Sequence, residues 1–150
     1  MKMKIALGAD HAGFSTKKEI FAQLAMDGYK VIDLGTYSED ASDYPDFASR
    51  VGKAVASGRC DRGILFCGSG LGMCIAANKI KGVRAATPWS IKTAKLAAQH
   101  NWANVLCVPS RFLAMPSVKK IVRAWLLTPF EKGGRHERRV EKIGKLEAKP

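Results

Sequence analysis

The chain alternates short apolar runs with segments whose apolar residues recur at helical spacing, and no linker or low-complexity tract interrupts it. Strands are predicted over residues 4–8, 29–33, 62–67, 83–87 and 104–108. Between them lie predicted helices over 16–25, with Ile20, Phe21 and Leu24 on one face, and over 45–57, where Pro45 suits a first helical turn. Further helices are predicted over 73–79, 90–101 and 116–127, and a last, highly charged one over 135–146.

Strands separated by helices of this length imply right-handed crossovers and a parallel sheet covered on both faces. The expected architecture is a single domain over 1–150, a three-layer α/β/α doubly wound (Rossmann-like) five-stranded parallel sheet with a C-terminal helical arm over 131–150. Ligands of such sheets sit beyond the carboxyl ends of the strands. The loops at 8–13, 35–44, 67–72, 87–89 and 109–111 therefore carry the functional expectations.

Length and composition narrow the classes. At 150 residues with 47% apolar content, the chain can enclose one substantial core. It has no apolar run near the roughly 20 residues that span a bilayer, and no leader-like start, so a cytoplasmic protein with reduced thiols is expected. The net charge is +12, from 25 Lys+Arg against 13 Asp+Glu, and it is unevenly placed. Residues 1–61 hold 8 basic and 9 acidic side chains, whereas residues 62–130 hold 10 basic and none acidic. An acid-free stretch of this length suggests that an anion is met there, nucleic acid or a small phosphate. It also denies the middle of the chain any carboxylate chemistry.

The loops then supply chemistry. Asp10-His11-Ala12-Gly13 follows the first strand, where a carboxylate and an imidazole can orient a hydroxylated ligand or move its protons. The plainer alternative is a turn cap beside a solvated histidine. Cys67-Gly68-Ser69-Gly70-Leu71-Gly72 joins a strand to a helix, and its glycines let backbone N–H groups approach negative charge. The spacing is not that of a dinucleotide fingerprint, the acidic residue expected some 20 positions on is missing, and no Gly-Lys-Ser/Thr follows. A small anionic ligand remains, with the Cys67 thiol at a helix N-terminus, where its pKa is expected to fall and make it a base or nucleophile. The alternative is a small buried cysteine ending a strand, the role assigned to Cys60, Cys74 and Cys107. None of the four has the CxxC pairing or His spacing of a zinc site. Gln99-His100-Asn101 ends a helix. Arg135 and Arg139 share one face of the last helix, as a phosphate clamp or as part of a solvated charged face.

Together, Gly8-Ala-Asp-His-Ala-Gly13, Asp43-Tyr44-Pro45, the Cys67–Gly72 loop with Ala76-Ala-Asn-Lys79, Gln99-His-Asn101, Ser110-Arg111 and Gly133-Gly-Arg-His136 with Arg139 resemble the ribose-5-phosphate isomerase B and galactose-6-phosphate isomerase family. The segments occur in order and span nearly the whole chain. The resemblance implies aldose–ketose isomerisation of a phosphorylated sugar, with no metal or organic cofactor. It implies Cys67 as the base moving a proton between C1 and C2, His100 opening the furanose ring with Asp10 assisting, and Ser69 relaying a proton between the oxygens. It further implies His11, Arg111, Arg135 and Arg139 around the phosphate, Tyr44 and Asn101 lining the site, and Gly68, Gly70, Leu71 and Gly72 presenting N–H groups to the developing oxyanion. Family sites lie across a subunit interface. A homodimer or dimer of dimers is therefore implied, with the arm on a partner subunit.

Three positions depart from the pattern. Met73 stands where another branch places a glutamate base, and Ser69 where the thiol branch often has Thr. Pro109 replaces the usual glycine before Ser110-Arg111, which can tilt Arg111. The motifs do not separate ribose 5-phosphate from galactose-6-, allose-6- or tetrose phosphates. The competing class is a basic nucleic-acid-binding module, disfavoured by scattered lysines and the lack of a recognition motif. No membrane partner is expected.

Overall fold

Side-chain parity along the strands sets the layers. The protein is described by a computed structural model covering residues 2–147, so residues 148–150 of the predicted arm lie outside the described residues. Its strands are β1 (Lys4–Ala9), β2 (Lys30–Asp33), β3 (Arg62–Cys67), β4 (Ala85–Ala86) and β5 (Val105–Pro109). They form one parallel sheet in the order β2-β1-β3-β5-β4. The helices are α1 (Phe14–Met26), α2 (Tyr44–Ala56), α3 (Leu71–Ala77), α4 (Ile91–Gln99), α5 (Met115–Leu127) and α6 (Arg135–Leu146).

Leu7, Phe66 and Leu106 face the layer built by Ile20 of α1, Ala94 of α4 and Trp125 of α5. The alternate residues Ala6, Leu65, Cys67 and Cys107 face Val51 of α2 and Met73 of α3. Period-two burial on both faces is what a doubly covered parallel sheet requires. Each large apolar side chain so enclosed contributes roughly 1.5–3 kcal/mol. The three-layer expectation therefore holds, and α6 forms the terminal arm, anchored by buried His136 and Val140. None of the described helices is long and apolar enough to cross a membrane.

The predicted strand at 83–87 shortens to two residues. Side-chain amides take its backbone groups instead. Asn104 Oδ1 accepts from the Arg84 N–H at 2.7 Å, and Asn78 accepts from the Ala85 N–H at 2.8 Å while donating to the Ala85 carbonyl at 2.9 Å. An edge strand tolerates this exchange because one of its sides has no neighbour to pair.

From β1 the chain winds outward to β2 and then crosses back to β3, so the direction of winding reverses between β1 and β3. This is where a doubly wound sheet opens a crevice. An ion pair between a buried lysine and a half-buried aspartate braces the adjacent loop. Lys17, 1% exposed within α1, donates to Asp33 Oδ1 at 2.5 Å and to the Thr36 carbonyl at 2.6 Å. A buried ammonium needs such pairing, and here it ties the start of the loop after β2 to the first helix.

Candidate active site

The crevice holds a cleft of about 350 Å³ lined by Asp10, His11, Ala12, Tyr44, Cys67, Gly68, Ser69, Gly72, Arg111 and Phe112. Three of the loops that sequence places beyond the strand ends converge there, and the Arg111 loop closes one side. Pro109 pairs with Cys67 at the last ladder position, where a missing N–H is tolerated. Beyond it the Ser110 N–H donates to the Cys67 carbonyl at 2.9 Å and the Arg111 N–H to the Gly68 carbonyl at 3.0 Å. Arg111 therefore remains in the cleft, its side chain passing over Gly68, and the proline does not carry it away.

Cys67 ends β3 and is 4% exposed. Its Sγ accepts from the Gly70 N–H at 3.1 Å, and the N–H groups of Met73 and Ser69 also point at it. These donors favour thiolate, as expected of a helix N-terminus. Burial nevertheless outweighs them, and with the neighbouring Asp10 charge it raises the thiol above its ordinary pKa. The expectation of a lowered pKa is thus reversed: the resting group is a protonated thiol held by donors that would stabilise its anion.

The same bonds reassign part of the loop. Gly70 is buried behind the sulfur with φ of 76°, where a Cβ would meet Thr87 and the Pro109 backbone, and its N–H is committed to Sγ. The Leu71 N–H goes to Ser69 Oγ at 3.3 Å, and its side chain is 61% exposed. Neither Gly70 nor Leu71 lines the cleft, contrary to their expected part in substrate binding. Gly68 and Gly72 do line it, and Gly72 must lack a Cβ because the Tyr44 ring lies across it.

Asp10, 6% exposed, accepts from the Gly13 N–H at 3.1 Å. The turn-cap role and the site role are therefore compatible rather than exclusive. His11 is oriented by Ser42, whose Oγ accepts from the His11 N–H at 3.2 Å and whose N–H donates to His11 Nδ1 at 3.3 Å. With Nδ1 an acceptor, Nε2 carries the ring proton.

Because Asp10 opposes ionisation of Cys67, Asp10→Asn should ease it. Carboxymethylation of Cys67, followed by peptide mapping across pH, is expected to show its midpoint moved to lower pH in that variant. An unchanged midpoint would mean that the two groups do not sense each other. Mapping is needed because Cys74 is expected to react as well. It is half-buried, and its thiol is lowered to about 6, chiefly by a hydrogen bond with Cys107, whose own pKa burial raises far above normal. Sequence spacing gives no sign of this thiol pair. Cys60 and Cys107 are buried, as packing residues should be.

The remaining expected residues assemble elsewhere on the chain. His100 caps the C-terminus of α4, and its ring stacks on His136 with centroids 3.8 Å apart and planes at 4°. Arg135 Nε donates to His136 Nε2 at 3.5 Å, and the Arg139 charge also faces His136. Asn101 borders a depression with Trp89 and Thr87. None of His100, Asn101, Arg135 or Arg139 is among the residues lining the Cys67 cleft. One chain thus carries two separate groups, a thiol cleft and an imidazole–guanidinium cluster. Sequence reasoning does not single out Ala12 and Phe112 in the first or Glu131 in the second, because none of the three stands in a chemically distinctive pattern.

A cleft that gathers Arg111 and His11 beside a buried thiol, at the switch point of a doubly wound sheet, is where folds of this class take a small-molecule ligand. The comparisons specify it. The family described as Ribose/Galactose Isomerase matches residues 5–143, and the chain belongs to it. It is 50% identical over 144 residues to ribose-5-phosphate isomerase B of Escherichia coli (strain K12), covering 96% of each chain. The Clostridium thermocellum ribose-5-phosphate isomerase B structure superposes with a TM-score of 0.95 at 48% identity, covering 97% of both chains. That of Mycoplasma genitalium ribose-5-phosphate isomerase B with bound ribulose-5-phosphate also gives 0.95, at 47% identity over 100% of this chain and 99% of that one.

Proposed function

We propose that this chain interconverts ribose 5-phosphate and ribulose 5-phosphate through an enediolate. The observation that carries the reading is the buried Cys67 thiol, held by three N–H donors at the base of a cleft that also contains Asp10, His11 and Arg111. The ribulose-5-phosphate bound by the Mycoplasma genitalium relative supports the choice of substrate.

In this reading His100 protonates the ring oxygen while Asp10 takes the proton of the anomeric hydroxyl, opening the furanose. Cys67, once deprotonated, removes the C2 proton of the aldose and returns it to C1, and Ser69 passes a proton between the two oxygens. The N–H groups of Gly68 and Gly72 face the oxyanion, since those of Gly70 and Leu71 are bonded within the loop. The phosphate is gathered by His11, Arg111, Arg135 and Arg139, while Tyr44 and Asn101 wall the site. No cofactor takes part.

Two separate groups on one chain require a second copy to meet. We therefore read the protein as a single sugar-phosphate isomerase domain that works as a homodimer or dimer of dimers. The Cys67 cleft of one protomer faces the His100–Arg135–Arg139 cluster of the other, and the terminal arm lies on the partner subunit. Exposed apolar side chains support this: Leu71 and Ile75 share a face of α3 at 61% and 64% exposure, and Ile143 and Leu146 lie on α6. Such side chains at helical spacing mark an interaction surface.

Turnover with a panel of sugar phosphates tests the assignment. The expected result is the highest kcat/KM with ribose 5-phosphate, above allose 6-phosphate, galactose 6-phosphate and a tetrose phosphate. Preference for a six-carbon substrate would keep the chemistry and replace the substrate. Tight salt-dependent DNA binding without isomerase activity would replace both.

A further inference from the structure

His100, Glu131 and His136 each offer one donor atom, and all three atoms lie within 4.8 Å of one another. Their backbones are held together independently of the side chains. His100 caps α4, His136 lies in the first turn of α6, and the Glu131 N–H donates to the Gln99 carbonyl at 2.9 Å. We propose that this cluster is a binding site for a transition-metal dication of the Zn²⁺, Co²⁺ and Ni²⁺ class, and that its occupancy inhibits the enzyme by withdrawing His100 from ring opening.

Two imidazoles and one carboxylate are a donor set suited to such ions, and three protein ligands leave a fourth position open. Around a tetrahedral ion with bonds near 2.1 Å the donors stand about 3.4 Å apart, so the widest gap closes by little more than 1 Å. The rings are now parallel, so one must turn before both lone pairs reach a common centre. His100 is the one with room, being less buried than His136 and making no side-chain hydrogen bond among the described residues. Glu131 is exposed and can follow.

The charges around the cluster oppose one another. Arg135 and Arg139 repel a cation, and Glu131 is the carboxylate that answers them. Burial, His100 and the two arginines lower the His136 pKa against the pull of Glu131. Binding is therefore expected to depend strongly on Glu131.

The inhibitory half rests on the role proposed above for His100, whereas binding does not, and two readouts keep them apart. The EDTA-treated full-length protein is titrated with Co²⁺ and followed by visible absorption, then its turnover of ribose 5-phosphate is measured with added Zn²⁺. The expected result is one Co²⁺ per chain with d–d bands and no thiolate charge-transfer band. Affinity should be at least ~10-fold weaker in Glu131→Gln and unchanged in Cys67→Ala. Zn²⁺ should inhibit reversibly with EDTA, and Glu131→Gln, compared with its own metal-free turnover, should resist it. No Co²⁺ binding, or a thiolate band lost in Cys67→Ala, overturns the site. Nitrogen- and oxygen-ligated binding without inhibition upholds the site and overturns the link to His100.

Discussion

Cys67→Ala is expected to lower kcat by about 10²–10⁴-fold, the range a positioned general base contributes. Sugar-phosphate binding should be nearly unchanged. The substitution removes the sulfur and leaves Arg111 and His11 in the cleft, so the groups that would gather the phosphate survive. It also strips an acceptor from the N–H groups of Gly70, Met73 and Ser69. Unsatisfied buried donors destabilise by about 1–3 kcal/mol each, so Cys67→Ser belongs beside it. Serine keeps an acceptor for those donors, yet its hydroxyl does not ionise in the working range. Both variants should bind a substrate analogue, melt cooperatively and fail to exchange the C2 proton of ribose 5-phosphate with solvent. Near-normal turnover in either one would remove Cys67 from the proton transfer.

The raised thiol pKa gives that result a pH signature. A base that must first lose a proton works better as pH rises, so kcat/KM should climb from neutral pH into the alkaline range. The three donors around Sγ show how the protein limits the penalty of burial. The thiol is almost fully buried, and the loop supplies hydrogen bonds that water would otherwise give its anion.

The residues show why parts of this arrangement are legible in sequence. Strand parity and the glycine loop are local signals: apolar runs such as 62–67 announce a doubly covered strand, and glycines crowded between strand and helix announce close backbone approach. What escaped reading depends on contacts between distant segments. Asn78 and Asn104 stand 7 and 20 residues from the backbone groups they bond, and they shorten β4 only because the fold brings them to the same edge. Lys17 stands in no distinctive sequence pattern, yet it is buried because Asp33 and the Thr36 carbonyl meet it. The sign of the Cys67 shift needed both burial depth and the position of Asp10, and neither is a property of the loop itself. The family resemblance implied a site shared across a subunit interface, and the folded chain holds the expected residues as two separate groups.

That division makes the last prediction the most discriminating. Cys67→Ala and His100→Asn should each be nearly inactive, because in the proposed homodimer each disables every site. If Cys67 of one protomer works with His100 of the other, a mixed dimer contains one site with both groups intact and one with neither. Equal amounts of the two variants, dissociated and allowed to reassort, form mixed dimers as about half of the population by the symmetry of the interface. One site in two is then intact within them, so activity should recover to about a quarter of the wild-type value. If the two groups served the same chain's site, each chain would still lack one of them. Reassortment would then yield no more than the parents' residual activity. Recovery that requires reassortment therefore places the two groups on different protomers, and its absence in demonstrably mixed dimers would confine catalysis to one chain.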